Sequence, residues 1–240
     1  MNDIKQGGSS TPQKPKGHVD FKSAFYFQTP IWIAEAPMFL KNANKVTDKY
    51  IKKAEKEKQI TAITGGLGRD RDLTKNPLTK EELKDLKKKR DSNIIWMNDR
   101  WIYKEIQPYI HQANHNANWN FEWDWSESCQ FTIYKKGQYY DWHCDSWDKP
   151  YKEEGPTKGK VRKLSVTVTL TDPKEYKGGE LEFDFRNEDP DKKPNIRTCT
   201  EILPKGSLVV FPSFLWHRVK PVTKGERNSL VIWNLGYPFK

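Results

Sequence analysis

The 240-residue sequence predicts an α+β fold that is mainly β, with helices in the first half and a barrel in the second. Amphipathic segments rich in Lys and Glu lie before residue 120, and short β-rich runs separated by turn signals follow them. A chain of this length can form one sizeable core. We therefore expect a single domain with a disordered tail over 1–20, a support region over 21–125 and a β core over 126–240.

The support region contains three segments with helical patterns. The first is predicted over 44–58, with Thr47 as its N-cap, and the third over 98–118, opened by Asn98 or Asp99. The second begins at TKEELKDLKKKR, where Thr79 and Glu82 have the spacing of a capping box. These helices precede the barrel strands, so we expect them to brace one side of it.

The second half of the chain contains eight β-rich segments with no helical pattern between them. They span 129–136, 139–145, 162–171, 179–185, 198–204, 206–212, 215–222 and 227–235. Eight strands of this kind fit a closed barrel or a two-sheet arrangement such as a jelly roll.

Composition narrows the classes of function. The net charge is +10, but Lys alternates with Glu and Asp in solvated helix faces, which disfavours specific nucleic-acid binding. No apolar run approaches the roughly 20 residues that a membrane span needs. The three cysteines, Cys129, Cys144 and Cys199, are widely spaced, which argues against a disulfide framework and favours a reducing cytoplasm.

The segment QYYDWHCDSWDKP places His143 and Asp145 two residues apart. Side chains alternate along a strand, so these two face one side and Cys144 the other. His217, in FLWHRV, is the other histidine of the β region and offers a third ligand. Two His and one carboxylate suit Fe(II) with open coordination positions, and zinc accepts the same ligands. The pattern alone also suits a buried His paired with a carboxylate, so the surrounding residues must decide.

A basic residue follows the last of these ligands. The segment VTKGE is expected to turn the chain, so that the flanking strands pair antiparallel and Arg227 lies close to His217. A buried guanidinium needs a carboxylate or phosphate partner, and Ser229 shares the face of Arg227. Iron with open positions and a distant Arg match the needs of a 2-oxo acid that carries a second carboxylate.

These motifs resemble those of the iron(II)- and 2-oxoglutarate-dependent oxygenases, in particular the prolyl 4-hydroxylase-like, PKHD-type branch. The resemblance covers about 130–233 and includes HCD, GGEL, GSLVVFP, the distal His and the later Arg. It implies a double-stranded β-helix, a jelly-roll or cupin-like barrel braced by N-terminal helices. It also implies that His143, Asp145 and His217 hold the iron, with no catalytic group beyond the metal site.

The same resemblance implies the cosubstrates and their contacts. Arg227 would bind the distal carboxylate of 2-oxoglutarate, and Tyr134 would contact the cosubstrate, with Tyr139 and Tyr140 as nearby alternatives. O2 is the second cosubstrate, and ascorbate dependence is implied by the branch alone. The implied reaction hydroxylates a C–H bond, foremost of a prolyl or other peptide side chain, with release of succinate and CO2. A small-molecule prime substrate also fits.

Two other functions stay open at this point. One is nucleobase demethylation by the same iron chemistry, although that branch carries a second Arg where this chain has Trp233. The other is a jelly-roll binding module without catalysis. Among further features, His111 and His115 are interpreted as a solvated helix end, Trp216 is expected in the core, and 146–160 is a loop that could be a lid or an ordinary mobile segment.

Overall fold

The structure is a computed structural model of the whole chain. It describes residues 31–35, 60–61, 75–146, 149–185 and 193–239, and the account that follows is confined to these ranges. The helix predicted over 44–58 and the tail predicted over 1–20 lie outside them.

The described residues form two helices and fifteen strands. The helices are α1 (Lys80–Lys89) and α2 (Arg100–Asn116). The strands before the barrel motifs are β1 (Trp32–Glu35), β2 (Ile60–Thr61), β3 (Arg90–Asp91), β4 (Asn93–Met97) and β5 (Trp125–Ser126). The others are β6 (Cys129–Tyr134), β7 (Tyr139–His143), β8 (Val161–Thr169), β9 (Lys177–Gly178), β10 (Leu181–Asp184), β11 (Ile196–Thr198), β12 (Ser207–Pro212), β13 (Trp216–Val219), β14 (Val222–Lys224) and β15 (Arg227–Gly236).

The strands form two stacked antiparallel sheets and a short ribbon. The eight-stranded main sheet has the order β1-β12-β8-β15-β6-β4-β2, with β5 also pairing with β15. The five-stranded minor sheet has the order β11-β10-β13-β7-β3, and β14 pairs with β9 in the ribbon. This arrangement confirms the predicted mainly β fold with a double-stranded β-helix. Among the described helices, none is long and apolar enough to cross a membrane.

The two faces of the main sheet have different partners, as the period of two along a strand requires. On β15, Leu230 and Ile232 point into a core that also contains the apolar face of α2. On that helix the buried residues Ile102, Ile106 and Ile110 recur at four-residue spacing, which forms one continuous stripe. The other face of β15 points toward the minor sheet, and this interior contains the candidate site.

The predicted helix starts are confirmed for the part of the chain that the structure describes. Thr79 caps α1: its side chain accepts a hydrogen bond from the Glu82 amide at 3.1 Å, and the Glu82 carboxylate accepts one from the Thr79 amide at 2.8 Å. The third predicted helix is α2, with Asp99 at its N-cap position. Pro108 lies inside this helix.

The strand predictions need three corrections. The strand predicted over 198–204 is wrong for most of its length, because β11 ends at Thr198 and a turn follows. The strand predicted over 215–222 is broken after Val219, and its last residue belongs to the separate β14. Five short strands, β2, β3, β4, β5 and β9, were not predicted. Of these, β3 and β4 lie in RDSNIIWM, which is short and follows directly from the end of α1.

The predicted antiparallel pairing on either side of VTKGE is also wrong. Strand β13 pairs with β10 and β7 in the minor sheet, whereas β15 pairs with β5, β6 and β8 in the main sheet. Pro221, which has no amide hydrogen to donate, lies at the break after β13, and Gly225 turns the chain with φ of 73°. The chain therefore crosses from one sheet to the other between His217 and Arg227.

Candidate metal centre

Three potential metal ligands converge between the sheets. His143 on β7 and His217 on β13 are direct register partners, and their rings lie 4.1 Å apart. Asp145 follows β7, where its amide donates to the Ser213 carbonyl at 2.8 Å. One ligand atom from each of the three side chains lies within 4.8 Å of the others. Among the described residues, this is the group of His, Cys, Asp and Glu that could hold a metal ion.

The hydrogen bonds of both imidazoles leave the same nitrogen available. His143 Nδ1 lies 2.7 Å from the Asp141 carbonyl oxygen, and His217 Nδ1 lies 2.9 Å from that of Leu215. A carbonyl oxygen only accepts, so each Nδ1 must carry the proton. In the neutral ring Nε2 then has a free lone pair. This is the arrangement by which backbone carbonyls orient metal-binding histidines.

Both free Nε2 atoms face the same carboxylate. The distance to Asp145 is 3.8 Å from His143 Nε2 and 3.6 Å from His217 Nε2. Both distances exceed that of a hydrogen bond, and two lone pairs facing a carboxylate repel one another without a cation between them. The donor set therefore fits a divalent cation with nitrogen and oxygen ligands, including Fe(II).

The charges of the group agree with this fit. Burial, reinforced by the neighbouring His217, holds the pKa of His143 well below its usual value, so this ring is neutral at physiological pH. Burial alone would raise the pKa of Asp145, but the neighbouring His217 and the Arg162 guanidinium help to outweigh this effect and lower that pKa. Asp145 is therefore an ionised carboxylate, as a metal ligand must be.

Two serines hold the Asp145 carboxylate in place from the main-sheet side. Ser165 on β8 donates to Asp145 Oδ2 at 2.8 Å, and the hydroxyls of Ser165 and Ser213 lie 2.9 Å apart. Both serines are fully buried. The Ser213 carbonyl also accepts the hydrogen bond from the Asp145 amide. Ser213 therefore contacts both the backbone of Asp145 and Ser165, which binds the Asp145 carboxylate.

A planar stack supports His143 from the other side. The Tyr140 ring lies 3.4 Å from the His143 ring at an interplanar angle of 11°. The Arg90 guanidinium covers Tyr140 at 4.4 Å, and Arg90 Nε donates to Ser92 Oγ at 2.8 Å. Arg90 is only 4% exposed. The stack restricts rotation of the imidazole and brings a positive charge to the edge of the site.

The triad lines a cavity with an empty volume of about 400 Å³, part of it open to solvent. The minor sheet contributes His143, His217 and the Tyr140 ring to its wall. The main sheet contributes the inward-facing residues of β15, from Arg227 to Trp233, and three residues of the neighbouring strands. These last three are Gln130, Tyr134 and Thr167.

Arg227 is the largest fully buried side chain among the described residues, with 2% of its surface exposed. Its guanidinium lies 3.3 Å from the Ser229 hydroxyl and 5.6 Å from the centre of the Tyr134 ring. Within the described ranges, no carboxylate forms an ion pair with it. A buried guanidinium without an anion is costly, so this end of the cavity favours an anionic ligand.

Two glycines shape the space around Arg227. Gly178 and Gly179 have φ values of 75° and 68°, in the left-handed region. A Cβ atom on Gly179 would lie 2.9 Å from Arg227 Cδ and 3.0 Å from Val222 Cγ2. The GGEL step thus leaves room for the stem of the Arg227 side chain.

The other candidates from the sequence are not part of this site. The hydroxyl of Tyr139 donates to the carbonyls of Lys87 and Lys88 at 3.0 Å, away from the cavity. Cys144 is outside the cluster, as alternation predicted. His111 stacks on Trp123 on the helix side, 4.7 Å between ring centres.

Trp216 is a correction, because it is 39% exposed and does not belong to the core. Its neighbour His217 points inward, and alternation along β13 therefore turns Trp216 outward. The same rule, applied to the predicted ligand, could have placed it from the sequence.

A family model ties this geometry to known proteins. Residues 129–234 match the model of the 2OG-Fe(II) oxygenase superfamily. The match begins with β6 and includes the candidate ligands, the glycine step and Arg227. The β half of the chain is therefore similar to the 2OG-Fe(II) oxygenase superfamily. The curated relatives that match this half of the chain are PKHD-type hydroxylases.

Curated relatives match the β half of the chain. A PKHD-type hydroxylase of Xanthomonas axonopodis pv. citri is 33% identical over 103 residues, which are 43% of this chain and 41% of that protein. The chain therefore spans about two fifths of the length of the curated relatives that it matches.

Solved structures share the fold over most of the chain. A Pseudomonas putida prolyl-4-hydroxylase covers 90% of this chain and 98% of its own, with a TM-score of 0.57 and 16% identity. A Trichoplax adhaerens prolyl hydroxylase in complex with a hypoxia inducible factor peptide fragment covers 89% of this chain and 90% of its own, with a TM-score of 0.53 and 15% identity. At these identities the likeness concerns the oxygenase fold alone.

The sequence did not indicate several residues of the candidate site. Ser165 was counted only as part of a β segment, although it bonds to Asp145 from 20 positions away. Arg90 was assigned to the end of a charged helix, and Gln130 carried no motif. Side-chain alternation along β6, counted from Tyr134, and along β8, counted from Ser165, predicts a polar face toward the interior. It does not predict which of these residues contacts which proposed ligand.

Proposed function

We propose that the protein is an Fe(II)- and 2-oxoglutarate-dependent dioxygenase that hydroxylates a C–H bond and releases succinate and CO2. Its foremost prime substrate is a prolyl or other side chain of a peptide or protein. His143, Asp145 and His217 are proposed as the iron ligands. Arg227 is proposed to bind the distal carboxylate of 2-oxoglutarate, with Tyr134 beside it. We propose no catalytic side chain beyond the metal site.

The observation that carries this proposal is the joint presence of two features in one cavity. One is the pair of imidazole lone pairs that face an ionised carboxylate. The other is the buried guanidinium of Arg227, which has no carboxylate partner among the described residues. A dicarboxylic 2-oxo acid can bind to both, because it chelates a metal at one end and carries a carboxylate for the guanidinium at the other.

The roles of the chain follow from the geometry. Bound Fe(II) and 2-oxoglutarate would supply the oxidising chemistry, in which 2-oxoglutarate is decarboxylated to succinate and one oxygen atom enters a C–H bond. The Nδ1 hydrogen bonds and the Tyr140 stack hold the imidazoles. Ser165 holds the carboxylate, and the apolar surroundings of Leu181 and Val219 limit water at the cavity wall.

A peptide substrate is supported by the mouth of the cavity and by the relatives. Trp233 lines the cavity, and Trp96, with 42% of its surface exposed, lies 6.3 Å from it between ring centres. Exposed aromatic faces pack well against proline rings and extended peptides. Prolyl hydroxylases with the same fold act as the precedent for this substrate class.

The cysteines support the expected compartment. Cys129 and Cys199 are free and buried, and Cys144 is half-buried. We propose a reducing compartment such as the cytoplasm, in which free thiols persist.

The test is a spectroscopic titration followed by a turnover screen. Anaerobic addition of Fe(II) and 2-oxoglutarate is expected to give a visible charge-transfer band. Succinate release is then measured with and without ascorbate against proline-bearing peptides, free amino acids and methylated oligonucleotides. Peptide-stimulated succinate release supports the proposal. An unchanged spectrum contradicts the oxygenase function, and stimulation only by methylated oligonucleotides contradicts the substrate class.

Substitution of Arg227 distinguishes 2-oxoglutarate binding from metal binding in the same assay. Arg227→Gln is expected to raise the 2-oxoglutarate concentration for half-maximal rate by about 10–100-fold, because a charge-assisted bond is lost. Metal binding should be retained, since Arg227 does not contact the triad. Loss of the metal in this variant would contradict the proposed role of Arg227.

A further inference from the structure

The indole of Trp233 carries a buried hydrogen-bond donor that has no acceptor in the part of the chain that the structure describes. Trp233 is 5% exposed, and its Nε1 atom forms no hydrogen bond. An indole N–H can only donate. A buried donor without an acceptor costs free energy and is rare in folded proteins, so this one needs an explanation.

Strand pairing places this indole beside the support of the Asp145 carboxylate. Trp233 on β15 and Ser165 on β8 are direct register partners. Such partners lie on one face of a sheet, with their Cβ atoms about 4.5–5.5 Å apart. Ser165 donates to Asp145 Oδ2 at 2.8 Å, and Trp233 and Asp145 line the same cavity. The orphaned donor therefore lies next to a residue that already holds a proposed metal ligand.

Asp145 is the acceptor that suits this donor. Among the residues that line the cavity, it carries the one carboxylate. Arg162 and Trp96, which also contact the Trp233 ring, have only donors on their side chains. Burial acts to raise the pKa of Asp145, and the Trp233 N–H is among the groups that lower it. The indole thus acts on the ionised carboxylate in the direction expected of a hydrogen-bond donor.

The plane of the indole is fixed by Arg162, whose guanidinium lies over the ring at 3.8 Å from its centre. A β-bulge at Lys163 brings Arg162 to this face, because β8 pairs Leu164 with Asn234 but Arg162 with Leu235. The two carboxylate oxygens of Glu127 accept hydrogen bonds from Arg162 Nε at 2.9 Å and Nη2 at 2.5 Å. This bidentate pair is directional, so the guanidinium restricts rotation of the Trp233 ring.

We propose that Trp233 is a positioning residue of the metal centre, whose indole N–H donates to the Asp145 carboxylate when a cation binds to the triad. Ser165 and Trp233 then hold this carboxylate with two donors, so that an oxygen stays turned toward Nε2 of His143 and His217. This role rests on the proposed function, since it presumes the metal centre, but it involves neither 2-oxoglutarate nor the prime substrate.

The first test follows the indole hydrogens by nuclear magnetic resonance while Zn(II), which accepts the same ligands, is added without cosubstrate. Calorimetry measures Zn(II) binding in parallel. The Trp233 signal, assigned by its loss in Trp233→Phe, is expected to move downfield as its N–H gains a charged acceptor. Trp119 is the internal control, because its Nε1 is also buried without a hydrogen-bond partner but lies in the core beside α2.

The two measurements distinguish failure of the metal centre from failure of the role of Trp233. If Zn(II) binds and the Trp233 signal stays in place, the metal centre stands and the role of Trp233 is overturned. If Zn(II) does not bind at all, the metal centre fails, and the proposed function fails with it.

The second test removes the donor and keeps an aromatic ring beneath Arg162. In Trp233→Phe, Co(II) affinity is expected to fall about tenfold, as for loss of a residue that supports a metal ligand. The visible Co(II) bands should also shift, because the carboxylate is freer to turn. Trp119→Phe is the matched control, since it removes an equally buried N–H outside the cavity. Equal Co(II) affinity and identical bands in the two variants would overturn the role of Trp233.

Discussion

The two sheets line one cavity but fix their functional side chains in different ways. On the minor sheet, His143 and His217 are direct partners on adjacent strands, so the register of one strand pair sets their separation. On the main sheet, Arg227 is held by Ser229 and Tyr134 on its own face. Its distance from the triad depends on how the sheets stack. The separation of the two proposed imidazole ligands is therefore set by one strand pair, whereas the position of Arg227 relative to them depends on the stacking of the two sheets.

This difference predicts that the two ends can be damaged separately. A substitution on the minor sheet should affect metal affinity first, and one on the main sheet near Arg227 should affect 2-oxoglutarate first. Ser165 is the exception, because it lies on the main sheet but bonds to Asp145. It therefore tests whether the sheets cooperate at the metal.

The largest effect is expected from His217→Ala, which removes one of the three proposed ligands. Loss of a supporting residue costs about 10–100-fold in metal affinity, so loss of a ligand should cost at least about 100-fold. Co(II) titration followed by visible absorption measures this, and succinate release should disappear. His111→Ala is the control, because its ring stacks on Trp123 outside the cavity. Equal Co(II) affinity in both variants would show that residue 217 is not a ligand.

A smaller effect is expected from Gly179→Ala, which disturbs the main-sheet end without touching a ligand. The new Cβ would lie 2.9 Å from Arg227 Cδ, so the guanidinium must shift. We expect the 2-oxoglutarate KM to rise about tenfold, as part of a charge-assisted hydrogen bond is lost. Co(II) affinity should stay within about twofold of wild type.

Gly137→Ala separates this steric effect from backbone strain. Gly137 also has a positive φ, 87°, but a Cβ there meets no atom within 4 Å. Both variants carry the cost of a left-handed backbone, about 1–3 kcal/mol, and only Gly179→Ala crowds Arg227. A similar rise of the 2-oxoglutarate KM in both would assign the effect to strain.

The sequence predicted the parts of the site that depend on short spacing. Alternation puts positions i and i+2 on one face, which predicts that His143 and Asp145 lie together, and Arg227 is predicted to be buried because it opens an apolar strand. The hairpin expected between His217 and Arg227 was wrong, since short-range turn signals do not say which sheet the next strand joins. The chain changes sheets there, and the two residues meet across the cavity.

The supporting residues could not be predicted, because their partners are distant in sequence. Arg90 stacks on Tyr140, and Glu127 binds Arg162, through strand order and a bulge that no local pattern announces. Trp216 differs from these, because alternation from His217 was available and would have placed it outside. Long-range contacts, more than local structure, therefore limit what can be derived for this barrel.

The smallest effect is expected from Ser165→Ala, which tests the cooperation of the two sheets at Asp145. The variant loses one hydrogen bond, worth about 1 kcal/mol, so Co(II) affinity should fall about fivefold. Ser207→Ala is the matched control, because its buried hydroxyl has no hydrogen-bond partner among the described residues. Both changes remove a buried hydroxyl of the main sheet, and only one lies against a proposed ligand. If Co(II) affinity is the same in both variants, the main sheet does not support the metal centre through Ser165. Metal binding would then depend on the minor sheet and on Trp233 alone.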